Sequence, residues 1–168
     1  MMEKHSAILG KIYDGPIVGV SLVSFTGEEK PIGEMYAEAA KLVPNYTLHR
    51  FNYHAAVAEH KEQWGDRLLE PMRDQLKATG FFSTRSKRQQ NGVVRVNCLT
   101  VLDRTSVGQS KIMLAVLDSL LSDLNASAPE TTSKIREWLK SAWVDTADSV
   151  SLQVGGTLAQ QSDVIKHG

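Results

Sequence analysis

Apolar and polar positions change period several times along the chain, and each change marks an element. Ile17 to Phe25 is a run of apolar and β-branched residues after Gly15-Pro16. It predicts a buried strand ending at the turn Thr26-Gly27. Pro31 suits the first turn of a helix, and Ile32, Met35, Tyr36, Ala39 and Ala40 give that helix one apolar face. Leu48 to Tyr53 reads as a second strand. Trp64, Leu68, Leu69, Met72 and Leu76 recur at helical spacing up to Gly80, with Pro71 predicting a kink or two shorter pieces. Phe81-Phe82 starts a strand, Arg85 to Gly92 is a solvated polar turn, and Val93, Val94 and Val96 form the returning strand. Val107, Met113, Leu114, Leu117, Leu120, Leu121 and Leu124 line the buried side of a long helix. After a break from Asn125 to Pro129, a further helix capped by Thr131 or Thr132 carries Ile135, Trp138, Leu139 and Trp143. Trp64, Trp138 and Trp143 read as core. The stretch from Gly155 to Gly168 is polar and reads as a loop. Strands and helices alternate, so the predicted class is α/β, a mixed sheet with flanking helices.

Composition narrows the possibilities only a little. A hydrophobic fraction of 42% is enough for a core, and the formal net charge of zero gives no general pull toward nucleic acid. No apolar run approaches the roughly 20 residues that cross a bilayer. The start of the chain has no secretory pattern. His49, His54 and His60 lack the spacing of a helical zinc pair, so neither metal nor cofactor is expected. These features suit a cytoplasmic protein, either soluble or visiting a membrane face peripherally.

Cys98 is the sole cysteine, which excludes an internal disulfide and suits a reducing compartment or a chemical role. It follows the apolar strand Val93 to Asn97. Five residues separate it from Arg104, and an apolar helix comes next. A loop of that length between strand and helix can turn its backbone N–H groups onto one centre. The helix dipole adds positive potential there. A thiol at the base of such a cradle is stabilised as the nucleophilic thiolate. The planar fork of Arg104 can take two phosphate oxygens, and Thr105 can add a hydroxyl donor. The candidate phosphate-binding residues are Leu99, Thr100, Val101, Leu102 and Thr105, with a cysteine-phosphatase-like P-loop as the expected conformation.

The segment Asn97-Cys98-Leu99-Thr100-Val101-Leu102-Asp103-Arg104-Thr105-Ser106-Val107-Gly108-Gln109 resembles the signature N-C-x-D-C-L-D-R-T-N-x-x-Q of the Sac phosphoinositide phosphatases. Glu29-Lys30-Pro31-Ile32 with Tyr36 is similar to the family's E-K-P-L segment, and Phe51-Asn52-Tyr53-His54 to its F-D-F-H. Trp143, Asp145, Asp148, Gln153, Gly156, Thr157 and Asp163 fall where the family has W-A-D-N-x-D, Q-Y-A-G-T-G and the T-D or S-D that follows. The resemblance covers most of the chain in order. It implies that residues 1–168 form the catalytic part of a Sac domain, with the N-terminal Sac subdomain absent.

The resemblance also implies a chemistry: removal of a monophosphate from an inositol ring through a phosphocysteine, without metal. Cys98 is then the nucleophile, Arg104 the phosphate clamp and Asp103 a further catalytic residue, with His54 and Asn97 lining the pocket. The expected partner is a phosphoinositide headgroup at a membrane surface. Departures from the family include Thr100 in place of an aspartate, Val101 of the second cysteine, Asn52 of the aspartate of F-D-F-H, and Gln161 of a lysine in the tail. The alternative is therefore a catalytically impaired Sac-like module that binds phosphoinositide or a protein partner. A third, weaker option is a cysteine phosphatase for other phosphate esters.

Overall fold

The computed structural model describes residues 2–60 and 63–167. Two compact units divide the chain, Met1–Leu99 and Thr100–Gly168. The class is α/β as expected.

The first unit contains α1 (Met2–Ile12), β1 (Ile17–Ser21), α2 (Glu29–Lys41), β2 (Tyr46–Arg50), α3 (Tyr53–His60), α4 (Trp64–Leu69), a 3-10 turn (Glu70–Met72), α5 (Arg73–Thr79) and β3 (Val93–Asn97). Among the described residues the sheet has three strands in the order β2-β1-β3, and β1 pairs in parallel with both neighbours. The expected mixed sheet is therefore corrected to a parallel one. Its central strand is buried along its whole length, as a strand covered on both faces requires. Ile17, Val18, Val20, Leu22, Trp64, Leu68 and Met72 form its core.

Side chains alternate across a strand, so Tyr46, Gly19 and Arg95 share one face and His49 the other. Helix α2 covers the first face: its Tyr36 hydroxyl bonds the Tyr46 hydroxyl and accepts from Arg95 Nη1. Helix α5 covers the second, where Gln75 bonds His49. Gly19 is required where it stands, because a Cβ there would lie 2.3 Å from the Tyr46 hydroxyl.

Several local expectations change. The first strand ends at Ser21 rather than Phe25, and the second ends at Arg50, with Tyr53 opening a helix. The Asn52 carboxamide accepts the Ala55 N–H, which favours that helical start. Phe81-Phe82 forms no strand. Gly80 ends α5 at a positive φ of 65°, and the Asn91 and Gly92 N–H groups bond the Thr79 carbonyl. The chain between is drawn into a small loop closed by paired Ser83–Arg88 backbone bonds. Val93–Asn97 thus joins the sheet in parallel rather than as a hairpin return. The pieces around Pro71 appear as predicted, split by the 3-10 turn. On α2 the buried positions are Gly33 and Ala40, while Ile32 and Met35 are exposed. The close-packed side of that helix is the one whose small residues let it approach the sheet.

The second unit packs α6 (Asp103–Asp123), α7 (Pro129–Gly155) and α8 (Ser162–His167) on one another. Helix α7 starts at Pro129, a favoured first-turn residue, with Ala128 rather than Thr131 or Thr132 at its cap. It ends at Gly156, whose φ of 73° suits glycine. On α6, Val107, Ile112, Leu117 and Leu121 are buried, but Leu124, the residue that caps its end, is exposed. Trp138 is 68% exposed, against the expectation of a core residue. It lies on the outer face of α7, while Val144, Ala147 and Ser151 face inward. The stretch read as a loop carries α8, whose Ile165 is buried.

Candidate functional site

The residues of the signature fall in both units. Strand β3 ends at Asn97, and Cys98 follows at 4% exposure. The Asn97 carbonyl accepts the Leu22 N–H at 2.8 Å, which extends the β1–β3 ladder to the residue before the cysteine. The Asn97 side chain accepts a hydrogen bond from Arg95 Nη1 at 3.1 Å. The same nitrogen donates to the Tyr36 hydroxyl, and the guanidinium lies 5.5 Å from the centre of the Tyr36 ring. Burial, together with the bond to Tyr46, pushes the Tyr36 phenol well above its ordinary value, so Tyr36 stays protonated.

Other motif residues of this unit have identifiable duties. The Glu29 carboxylate accepts the Ser24 N–H at 2.8 Å, fastening the loop after β1 to the start of α2. His54 is exposed in the first turn of α3, edge-on to Tyr53. Arg50 stacks on Phe25 at 4.8 Å. It borders an open cavity of about 470 Å³ that Asn52, His60 and Arg67 also line.

The second unit starts with the remaining motif residues in sequence. Thr100 and Val101 are exposed, and Val101 has φ 58°. A β-branched residue in the left-handed region is a genuine outlier that costs on the order of 1–3 kcal/mol. Leu102 has φ −103° and ψ −103°, and its carbonyl accepts both the N–H and the hydroxyl of Ser106 at 3.0 Å. The chain thus curls sharply before α6 begins at Asp103. Arg104 lies in the first turn of α6, and Thr105 beside it is buried.

Asp103 stands in the first helical turn, where a carboxylate complements the dipole. Its Oδ1 accepts the Gln160 N–H at 2.7 Å. Asp148 accepts the Ala159 N–H at 3.0 Å and the Ser162 hydroxyl at 3.1 Å. Trp143 donates to the Ser106 carbonyl at 2.8 Å. These residues brace the first turns of α6 and the segment leading into α8. In the sequence Asp103 is marked by the signature, and Trp143 and Asp148 only by the order of the tail motifs. Arg95 carries a different signal in the sequence, a lone cation in the strand Val93–Asn97.

Similarity to known proteins extends over nearly the whole chain. The phosphoinositide phosphatase SAC6 of Arabidopsis thaliana is 31% identical over 99% of this chain and 30% of its own length. The phosphatidylinositol-3-phosphatase SAC1 of Drosophila melanogaster is 34% identical over 92% of this chain and 28% of its own length. Human synaptojanin-1 is 29% identical over 92% of this chain and 10% of its own length. The chain thus spans about 30% of the length of the first of these curated relatives. No family model matches the chain, and no solved structure does.

Proposed function

Because the chain belongs by sequence to the Sac-domain phosphoinositide phosphatases, we propose that it carries their phosphate-ester chemistry, removing a monophosphate from an inositol headgroup at a membrane surface. One observation carries the proposal. The matched signature starts where β3 ends, at Asn97-Cys98, and runs into the start of α6 with Asp103-Arg104-Thr105. That strand–loop–helix context is what a cysteine nucleophile and an anion cradle need. The curl at Val101 and Leu102 supports a P-loop reading of residues 99–104.

In this reading the Cys98 thiolate attacks phosphorus, the ester P–O bond breaks, and the inositol oxygen leaves with a proton. Water then attacks the phosphocysteine, the S–P bond breaks, and inorganic phosphate departs as the thiolate is restored. Arg104 binds the equatorial oxygens, with the backbone from Leu99 to Leu102 and the Thr105 hydroxyl as further donors. Asp103 is assigned proton transfer through the carboxylate oxygen not held by Gln160. The membrane-face location is part of the same proposal. Among the described residues, no helix is long and apolar enough to cross a membrane.

The test is phosphate release from a panel of short-chain phosphoinositides. Cys98→Ser is expected to abolish turnover, and Arg104→Lys to lower it on the order of 100-fold, the effect of losing one transition-state donor. Asp103→Asn is expected to stop the native reaction. Turnover that survives Cys98→Ser overturns the nucleophile. A native protein that binds headgroup without turnover, with Thr100→Asp raising the rate, places the chain with the impaired modules.

A further inference from the structure

We infer that Arg95 is a positioning residue for Cys98, acting through Asn97 and anchored by Tyr36. The inference rests on the reading of Cys98 as the nucleophile.

Arg95 is the one charged residue of β3 and sits on the sheet face beneath α2. Partial burial of a guanidinium carries a desolvation cost, and an apolar side chain there would avoid it. Its contacts indicate what that cost maintains. Nη1 donates to two acceptors, the Tyr36 hydroxyl and Asn97 Oδ1. With Tyr36 accepting from Arg95, its own proton is available to the Tyr46 hydroxyl, and the phenol's raised affinity for that proton suits the arrangement. Gly19 leaves room for the Tyr46 ring on the same face. The result is a continuous chain from β2, through α2, to β3.

That chain ends on Asn97, whose carbonyl is independently held by Leu22. The residue immediately before Cys98 is therefore fixed through its main chain and its side chain together. Fixing Asn97 fixes the direction in which the cysteine leaves the sheet. Displacements of about 1 Å at reacting groups cost on the order of 100-fold in rate, so this is a position where a remote contact affects chemistry.

The test compares the native protein with Arg95→Met, Arg95→Lys and Tyr36→Phe. Turnover on a soluble short-chain phosphoinositide gives kcat and KM. The rate of iodoacetamide alkylation reports Cys98 directly, because the chain has one cysteine. Thermal melting checks folding. Arg95→Met is expected to lower kcat roughly 10- to 100-fold with KM little changed, and to speed alkylation of the otherwise buried thiol. Arg95→Lys should recover part of both effects, and Tyr36→Phe should lie between it and the native protein. If Arg95→Met does not fold, Tyr36→Phe carries the decision. A folded variant with native kcat and native alkylation overturns the inference, even if its melting temperature falls. If the native protein releases no phosphate, the enzymatic reading fails, while the alkylation comparison still decides whether Arg95 positions Cys98.

Discussion

The two units hold their ends of the signature by different means. In the first, the strand leading to Cys98 is fixed by a parallel main-chain ladder over a buried apolar core. In the second, the first turns of α6 are braced by individual side chains: Asp103 on Gln160, and Trp143 on the Ser106 carbonyl. Asp148 ties the segment that carries Gln160. A ladder distributes its load over many equivalent bonds. A brace concentrates it on a few polar atoms. The first unit should therefore respond to lost volume, and the second to lost acceptors.

The largest expected effect is Leu22→Ala. Leu22 is fully buried just past the end of β1, and removing such a side chain costs about 2–5 kcal/mol. Urea unfolding measures it, and a cost below about 1 kcal/mol would remove the contrast, since surface sites behave that way.

Next comes Asp148→Ala. Losing an acceptor shared by two donors is expected to cost about 1–3 kcal/mol. The loss should be local. Amide exchange should speed at Ala159 and along α8, and stay unchanged in β1. Uniform acceleration across both units would contradict the brace.

The smallest effect is a gain. Val101→Asn keeps the positive φ with a residue that tolerates it, and should add about 1 kcal/mol or less of stability by relieving strain. An unchanged or lower unfolding midpoint would mean that the turn is not strained.

Much of the first unit was legible because burial leaves a simple trace. The run around Val18 is continuous and apolar, as a covered parallel strand is, and the valines around Val94 are interrupted by Arg95. Pairing was less legible. Val93–Asn97 read as a hairpin return because Phe81-Phe82 precedes it across a polar turn, yet its partner is β1, far back in the sequence. Tyr53 looked like strand and became the start of a helix once Asn52 could hold the Ala55 N–H. Trp138 looked like core because its size suggests burial, while its place on α7 sets it outward. The signature from Asn97 to Gln109 was visible because its members are consecutive. Arg95 and Tyr36 are 59 positions apart, so only the fold joins them.

The strand order β2-β1-β3 also has a consequence for synthesis. The middle strand is made first and needs residues 46–50 and then 93–97 to complete it. From Arg50 to Asn97 is 97 − 50 = 47 positions, roughly 2–9 s of elongation at typical rates. Through that interval one side of β1 waits as an open edge, the situation that invites mispairing. Cys98 is the next residue added after the strand that closes it. The lone thiol therefore cannot take its buried place until β3 has closed that edge, and an oxidant present during synthesis would find it more accessible than in the finished protein, where it is 4% exposed.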